Sequence, residues 1–129
     1  MSIALLLITH EHIAHNLVST VHDILDNTVE NTASIEVPMD APIENVKIEA
    51  DDKLSALETE NGILILTDLV GSTPYNVARM IKDEQTKTIL ITGLNVPMLL
   101  KLANYRDLPL DELAEKALLG GQSGIDKHE

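Results

Sequence analysis

The stretch Ile63-Leu64-Ile65-Leu66-Thr67-Asp68-Leu69-Val70-Gly71-Ser72-Thr73-Pro74-Tyr75-Asn76 decides the fold. Four β-favouring apolar residues run without a polar break, the pattern of a parallel strand buried on both faces. A Thr and an acid end the run. A glycine and two small hydroxyl residues follow, and Pro74 opens a helical pattern where its missing N–H is not needed. The stretch therefore reads as strand, tight turn and helix start. Asp68 falls where the strand stops, at the edge where open α/β sheets hold their ligands. A second strand of the same kind, Ile3 to Ile8, ends in Thr9-His10. A histidine and an aspartate at the carboxyl ends of two neighbouring strands are a candidate active site.

The rest of the chain supplies the frame. From Ile13 the apolar spacing turns helical, with Ile13, Leu17, Val18, Val21, Ile24 and Leu25 on one stripe as far as Asp26. Ser34 to Val37 reads as a short strand closed by Pro38. Ile43 to Leu57 reads as a helix with an acidic face and apolar positions at Ile43, Val46, Ile48, Leu54 and Leu57, stopped by Gly62. Pro74 to about Lys82 is the next helix, Thr88 to Thr92 the next strand, and Gly93 to Val96 its turn. Pro97 opens a helix to Ala103, and Leu110 to Leu119 is a last helix before Gly120-Gly121. Strands alternating with helices mean a parallel sheet covered on both faces. The expected fold is a flavodoxin-like, doubly wound α/β sheet of order 2-1-3-4, which sets His10 beside Asp68.

Composition narrows the function. The 129 residues suffice for one domain, expected to span residues 1–129, and are too few for two. Phe and Trp are absent, and Tyr75 and Tyr105 are the only aromatics, which removes stacking platforms for single-stranded nucleic acid. Nine Lys and Arg against 21 Asp and Glu leave a net charge of −12, so nucleic acid and anionic membranes would be repelled. A partner with a basic face is expected instead. With no cysteine, disulfides and thiolate chemistry are excluded. The opening apolar run is too short for a membrane span and lacks the basic start of a signal peptide, so the cytoplasm is the expected location.

Imidazole can serve as a nucleophile toward phosphorus, a base or a metal ligand, or His10 can be a histidine without a role. A carboxylate such as Asp68 bonded to one ring N–H would free the other nitrogen to attack, although aspartate is also common in turns. In ordinary tautomer logic the bonded nitrogen is Nδ1 and the attacking one Nε2. Gly71, Ser72 and Thr73 before Pro74 are a candidate anion cradle, with Thr73 as N-cap, or simply an ordinary capped helix. His12, His15 and His22 do not have zinc-protease spacing, and Ala14 stands where that motif needs a histidine, so no metal is expected. Neither a Walker loop nor a GxGxxG turn is present, which argues against ATP or NAD as a cofactor.

Three segments together resemble a known family. These are Thr9-His10 after the first strand, Asp68 through Asn76, and Gly93-Leu94-Asn95-Val96-Pro97-Met98-Leu99. They resemble the IIA domain of the mannose/fructose/sorbose class of the bacterial phosphoenolpyruvate-dependent sugar phosphotransferase system, across nearly the whole chain. The resemblance implies a phosphotransferase working through a phosphohistidine intermediate. His10 would accept a phosphoryl group from HPr and pass it to a IIB partner, and Asp68 would orient it. The implied phosphate-binding residues are Thr9, Gly71, Ser72 and Thr73, and the implied docking residues are Asn95 and Pro97. Ser72 stands where the family usually has a second glycine. Homodimers formed through the C-terminal segment are a further implication. A regulatory phosphoprotein without transport and the phosphoryl-donor subunit of dihydroxyacetone kinase are the alternatives within this chemistry. A two-component receiver would need an acidic pair where Thr9-His10 stands.

Overall fold

The computed structural model describes residues 2–129. Its elements are β1 (Ala4–His10), α1 (Ala14–Leu25), β2 (Thr32–Val37), α2 (Ile43–Ser55), β3 (Ile63–Thr67), α3 (Thr73–Glu84), β4 (Thr88–Ile91), α4 (Val96–Asn104) and α5 (Leu110–Ser123). The four strands form one parallel sheet in the order β2-β1-β3-β4, as the alternating pattern predicts.

Each central strand feeds two cores, because successive side chains point to opposite faces. Leu5 and Leu7 of β1 and Leu64 and Leu66 of β3 pack against Val21 of α1, Leu99 and Leu102 of α4 and Leu113 of α5. Ala4, Leu6 and Ile8, with Ile63 and Ile65, pack against Val46 and Leu54 of α2 and Val77 and Ile81 of α3. The uninterrupted apolar runs follow from this double burial. Thr9 and Thr67 are the only fully buried polar side chains among the described residues, one at the carboxyl end of each central strand.

Several local expectations are corrected. β1 runs two residues past Ile8, so His10 is the last strand residue rather than a loop residue. Ile24 and Ile48 are exposed. The buried line of α1 is centred on Ala14 and Val21, and Ile24 lies at its margin. In α2 the buried line is Val46, Ala50 and Leu54, spaced by four, so a small alanine carries the middle of the helix. Gly62 does not stop α2, which ends at Ser55. It sits directly before β3 with φ +126, a conformation that favours glycine.

Gly120 and Gly121 lie inside α5, not after it. A Cβ on Gly120 would press into Lys101 of α4, and one on Gly121 would stand 2.8 Å from Met98 Cε. The two glycines therefore let α4 and α5 approach closely, at the helix-propensity cost a glycine brings.

Candidate functional site

β1 and β3 pair from Ala4↔Ile63 to Ile8↔Thr67, so their carboxyl ends emerge side by side. Asp68 is the first residue beyond β3, with its side chain 11% exposed, and His10 ends β1 with its ring 30% exposed. One oxygen, Asp68 Oδ2, accepts both from the His10 backbone N–H at 3.1 Å and from Nδ1 at 2.7 Å. A carboxylate can only accept, so Nδ1 carries the hydrogen and Nε2 keeps its lone pair. The other oxygen, Oδ1, is buried without a hydrogen-bond partner, as is Thr67 Oγ1 beside it in sequence. The negative charge of Asp68 is thus directed at the histidine alone.

The β3–α3 turn lies next to this pair. Gly71 has φ +82, and a Cβ there would meet nothing within 4 Å, so the backbone conformation rather than space calls for glycine. Ser72, not Thr73, occupies the N-cap position, and Thr73 is already helical. The Ser72 hydroxyl donates to Leu69 O at 2.7 Å and closes the turn. No side chain caps α3, and Pro74 has no N–H to cap. The N–H groups of Thr73 and Tyr75 are left at the helix start, where the dipole favours an anion.

The Thr9 side chain is engaged inside the chain. Its position in β1 shares a face with Leu5 and Leu7, toward α1, and it is fully buried. Its hydroxyl donates to His10 O at 2.8 Å and accepts the Ala14 N–H at 3.0 Å. Asn95 is likewise committed within the chain. It caps α4 by accepting the Met98 N–H at 3.0 Å, and its amide donates to Gly121 O at 3.2 Å on α5. Pro97 packs against Gly124, where a Cβ would collide with its ring. These two residues hold the β4–α4 turn and α5 together.

His12, His15 and His22 are exposed and spread along the first turn and outer face of α1. Among the described residues no three histidine or acidic side chains come together in a group able to hold a metal. Glu36 does not stand out in the sequence pattern, yet its Oε2 accepts the His15 N–H at 3.0 Å. The alternation Ile35-Glu36-Val37 is the available signal, because it turns Glu36 toward α1. A polar cavity of about 590 Å³ around Arg106 lies at the amino end of the sheet, remote from His10. No helix among the described residues is long and apolar enough to cross a membrane.

Residues 4–118 match the family described as "PTS system fructose IIA component". The chain is 31% identical over 127 residues to the mannose-specific EIIAB component of Escherichia coli K12, an alignment covering 97% of this chain and 39% of that protein. It thus spans about two fifths of the length of this relative. It is also 31% identical over 77 residues to the fructose-specific EIIA component of Bacillus subtilis, covering 60% of this chain and 50% of that one. The fold is that of the mannose/sorbose-specific IIA subunit of Enterococcus faecalis, with a TM-score of 0.89 at 24% identity, covering 100% of this chain and 96% of that one.

Proposed function

Because the chain belongs to the phosphotransferase-system fructose IIA family, of the mannose/fructose class, we propose that His10 is its phosphoryl acceptor and Asp68 the residue that orients it. The observation that carries this reading is the 2.7 Å bond between His10 Nδ1 and Asp68, which leaves Nε2 as the free nucleophile at an open sheet edge.

The donor is HPr and the acceptor a IIB component. The Nε2 lone pair attacks phosphorus as the phosphorus–nitrogen bond to the donor histidine breaks. The donor's phospho-imidazolium leaves as neutral imidazole, and His10 becomes the imidazolium, with Nδ1–H still bonded to Asp68. The carboxylate stabilises that positive ring, and the same geometry run in reverse releases the group to IIB. The N–H groups of Thr73 and Tyr75, with Gly71 giving the turn its shape, face the phosphoryl oxygens. The −12 charge suits partners with basic faces.

The test incubates the protein with phosphoenolpyruvate, enzyme I and HPr and reads the intact mass after acid or alkali. One phosphoryl group should be gained that survives alkali, is lost in acid and is absent from His10→Ala. A labelled His10→Ala protein would overturn the assignment.

A further inference from the structure

We propose that Glu36 is a positioning residue for His10, holding from β2 the start of α1 and, through it, the link that leads out of the histidine. The inference rests on His10 being the phosphoryl acceptor.

Thr9 and Glu36 are cross-strand neighbours in the β1–β2 register. Ile35 and Val37 pack toward α2 and α3, so Glu36 faces α1, as Thr9 does. Both reach the first turn of that helix. Thr9 Oγ1 accepts the Ala14 N–H and Glu36 Oε2 the His15 N–H, each at 3.0 Å. The residue at the N-cap position is Ile13, which has no side-chain acceptor to offer. The free N–H groups that a helix normally caps for itself are here taken up by the sheet.

What the two caps secure is the segment Glu11-His12-Ile13. His12 has φ +70, a left-handed conformation that a non-glycine residue holds only when its surroundings impose it. The His10 carbonyl accepts from Thr9 Oγ1 at 2.8 Å and from Ile13 N–H at 3.4 Å, while the His10 N–H goes to Asp68. The main chain of His10 is therefore tied on one side by Asp68 and on the other by the start of α1. Releasing α1 frees the second tie and lets the ring turn away from Asp68. The Glu36 carboxyl is held below its usual range, chiefly by the His15 N–H, against burial, with the His12 N–H and the nearby imidazoles adding to it. It thus stays ionised at the helix start, where negative charge is favoured.

The experiment compares wild type with Glu36→Gln, Glu36→Ala and Glu36→Met in the full chain, with Val21→Ala as a control that weakens core packing while leaving both caps at the start of α1 in place. Two readouts are taken: the ¹⁵N signals of the His10 ring in the unphosphorylated protein, and kcat and KM for transfer from phospho-HPr. Glu36→Ala and Glu36→Met should show mixed ring tautomers and a kcat lowered by about 10-fold, with KM held to within about 2-fold. Glu36→Gln keeps an acceptor and should retain the wild-type tautomer. Val21→Ala should lower the melting temperature and leave the ring signals in place. Wild-type ring signals and kcat in both Glu36→Ala and Glu36→Met would make Glu36 a helix cap and nothing more. If wild type itself accepts no phosphoryl group, the acceptor reading of His10 fails, and the ring signals still decide whether Glu36 positions the histidine.

Discussion

Asp68 Oδ2 holds His10 twice, by the backbone N–H at 3.1 Å and by ring Nδ1 at 2.7 Å. The two bonds fix the ring relative to the strand that carries it. In a parallel sheet this requires β3 to end two residues short of β1, as the register Ile8↔Thr67 and the end of β1 at His10 provide. The site is thus a consequence of strand register, and it is rigid because both strands are buried on both faces.

That geometry sets the first prediction. In Asp68→Asn the amide oxygen can take the place of Oδ2 and keep both bonds, which leaves the NH₂ at the buried position of Oδ1, where no acceptor waits. The protein should fold, with a melting temperature slightly below wild type. The imidazolium formed on transfer loses its counter-charge, so phosphoryl acceptance should slow by on the order of 10²-fold. Rapid-quench measurement of phosphoryl transfer checks this, and a wild-type rate would reduce Asp68 to a turn residue.

The second prediction separates structure from ligand binding at Thr9. Its hydroxyl serves two groups inside the protein, the Ala14 N–H and the His10 carbonyl. Thr9→Val keeps the shape and leaves both groups without this partner, at a cost of about 1–3 kcal/mol. Thr9→Ser should recover most of that loss. Denaturant melts decide the matter, since a hydroxyl used only for phosphate would leave the stability of Thr9→Val unchanged.

The sheet order and the pairing of His10 with Asp68 were legible because long apolar runs ending in polar residues leave few placements in a parallel sheet. What escaped were features set by contacts between distant segments. Gly120-Gly121 reads as a helix stop until Lys101 and Met98 are seen against it. The family resemblance implies Thr9 as a phosphate residue and says nothing of the strand alternation that turns its side chain toward α1. Asn95 reads as part of a turn, whereas it caps α4 and bonds α5 across 26 residues. Ile24 and Ile48 have the right chemistry for a core and sit at the wrong helical angle.

The α4–α5 contact gives a third prediction, in which two adjacent glycines behave differently. Alanine gains about 1 kcal/mol over glycine in a helix interior. At Gly120 the new methyl meets the stem of Lys101, including its Cβ at 3.1 Å, which cannot move without moving α4. Gly120→Ala should therefore destabilise by about 1 kcal/mol or more overall. At Gly121 the nearest atom is the terminal Cε of Met98, the mobile end of an adaptable side chain. Gly121→Ala should stay within about 0.5 kcal/mol of wild type. Equal losses at the two positions would mean that the α4–α5 spacing is not set as described.

The last prediction concerns acid. The Glu36 carboxyl is held below its ordinary value mainly by the His15 N–H, and burial opposes the shift without cancelling it. A group whose folded-state pKa is depressed stabilises the fold above its unfolded pKa, and that contribution disappears as pH falls through the folded value. Wild type should therefore melt above Glu36→Gln at neutral pH. The gap should narrow as pH falls below about 4, where the unfolded chain and then the folded chain take up the proton. The other carboxylates are common to both proteins and cancel in the difference. Paired melting curves from pH 7 down to about pH 3 measure it. A gap that stays constant over this range would show that the ionised carboxylate adds nothing beyond what a neutral amide acceptor provides at the start of α1.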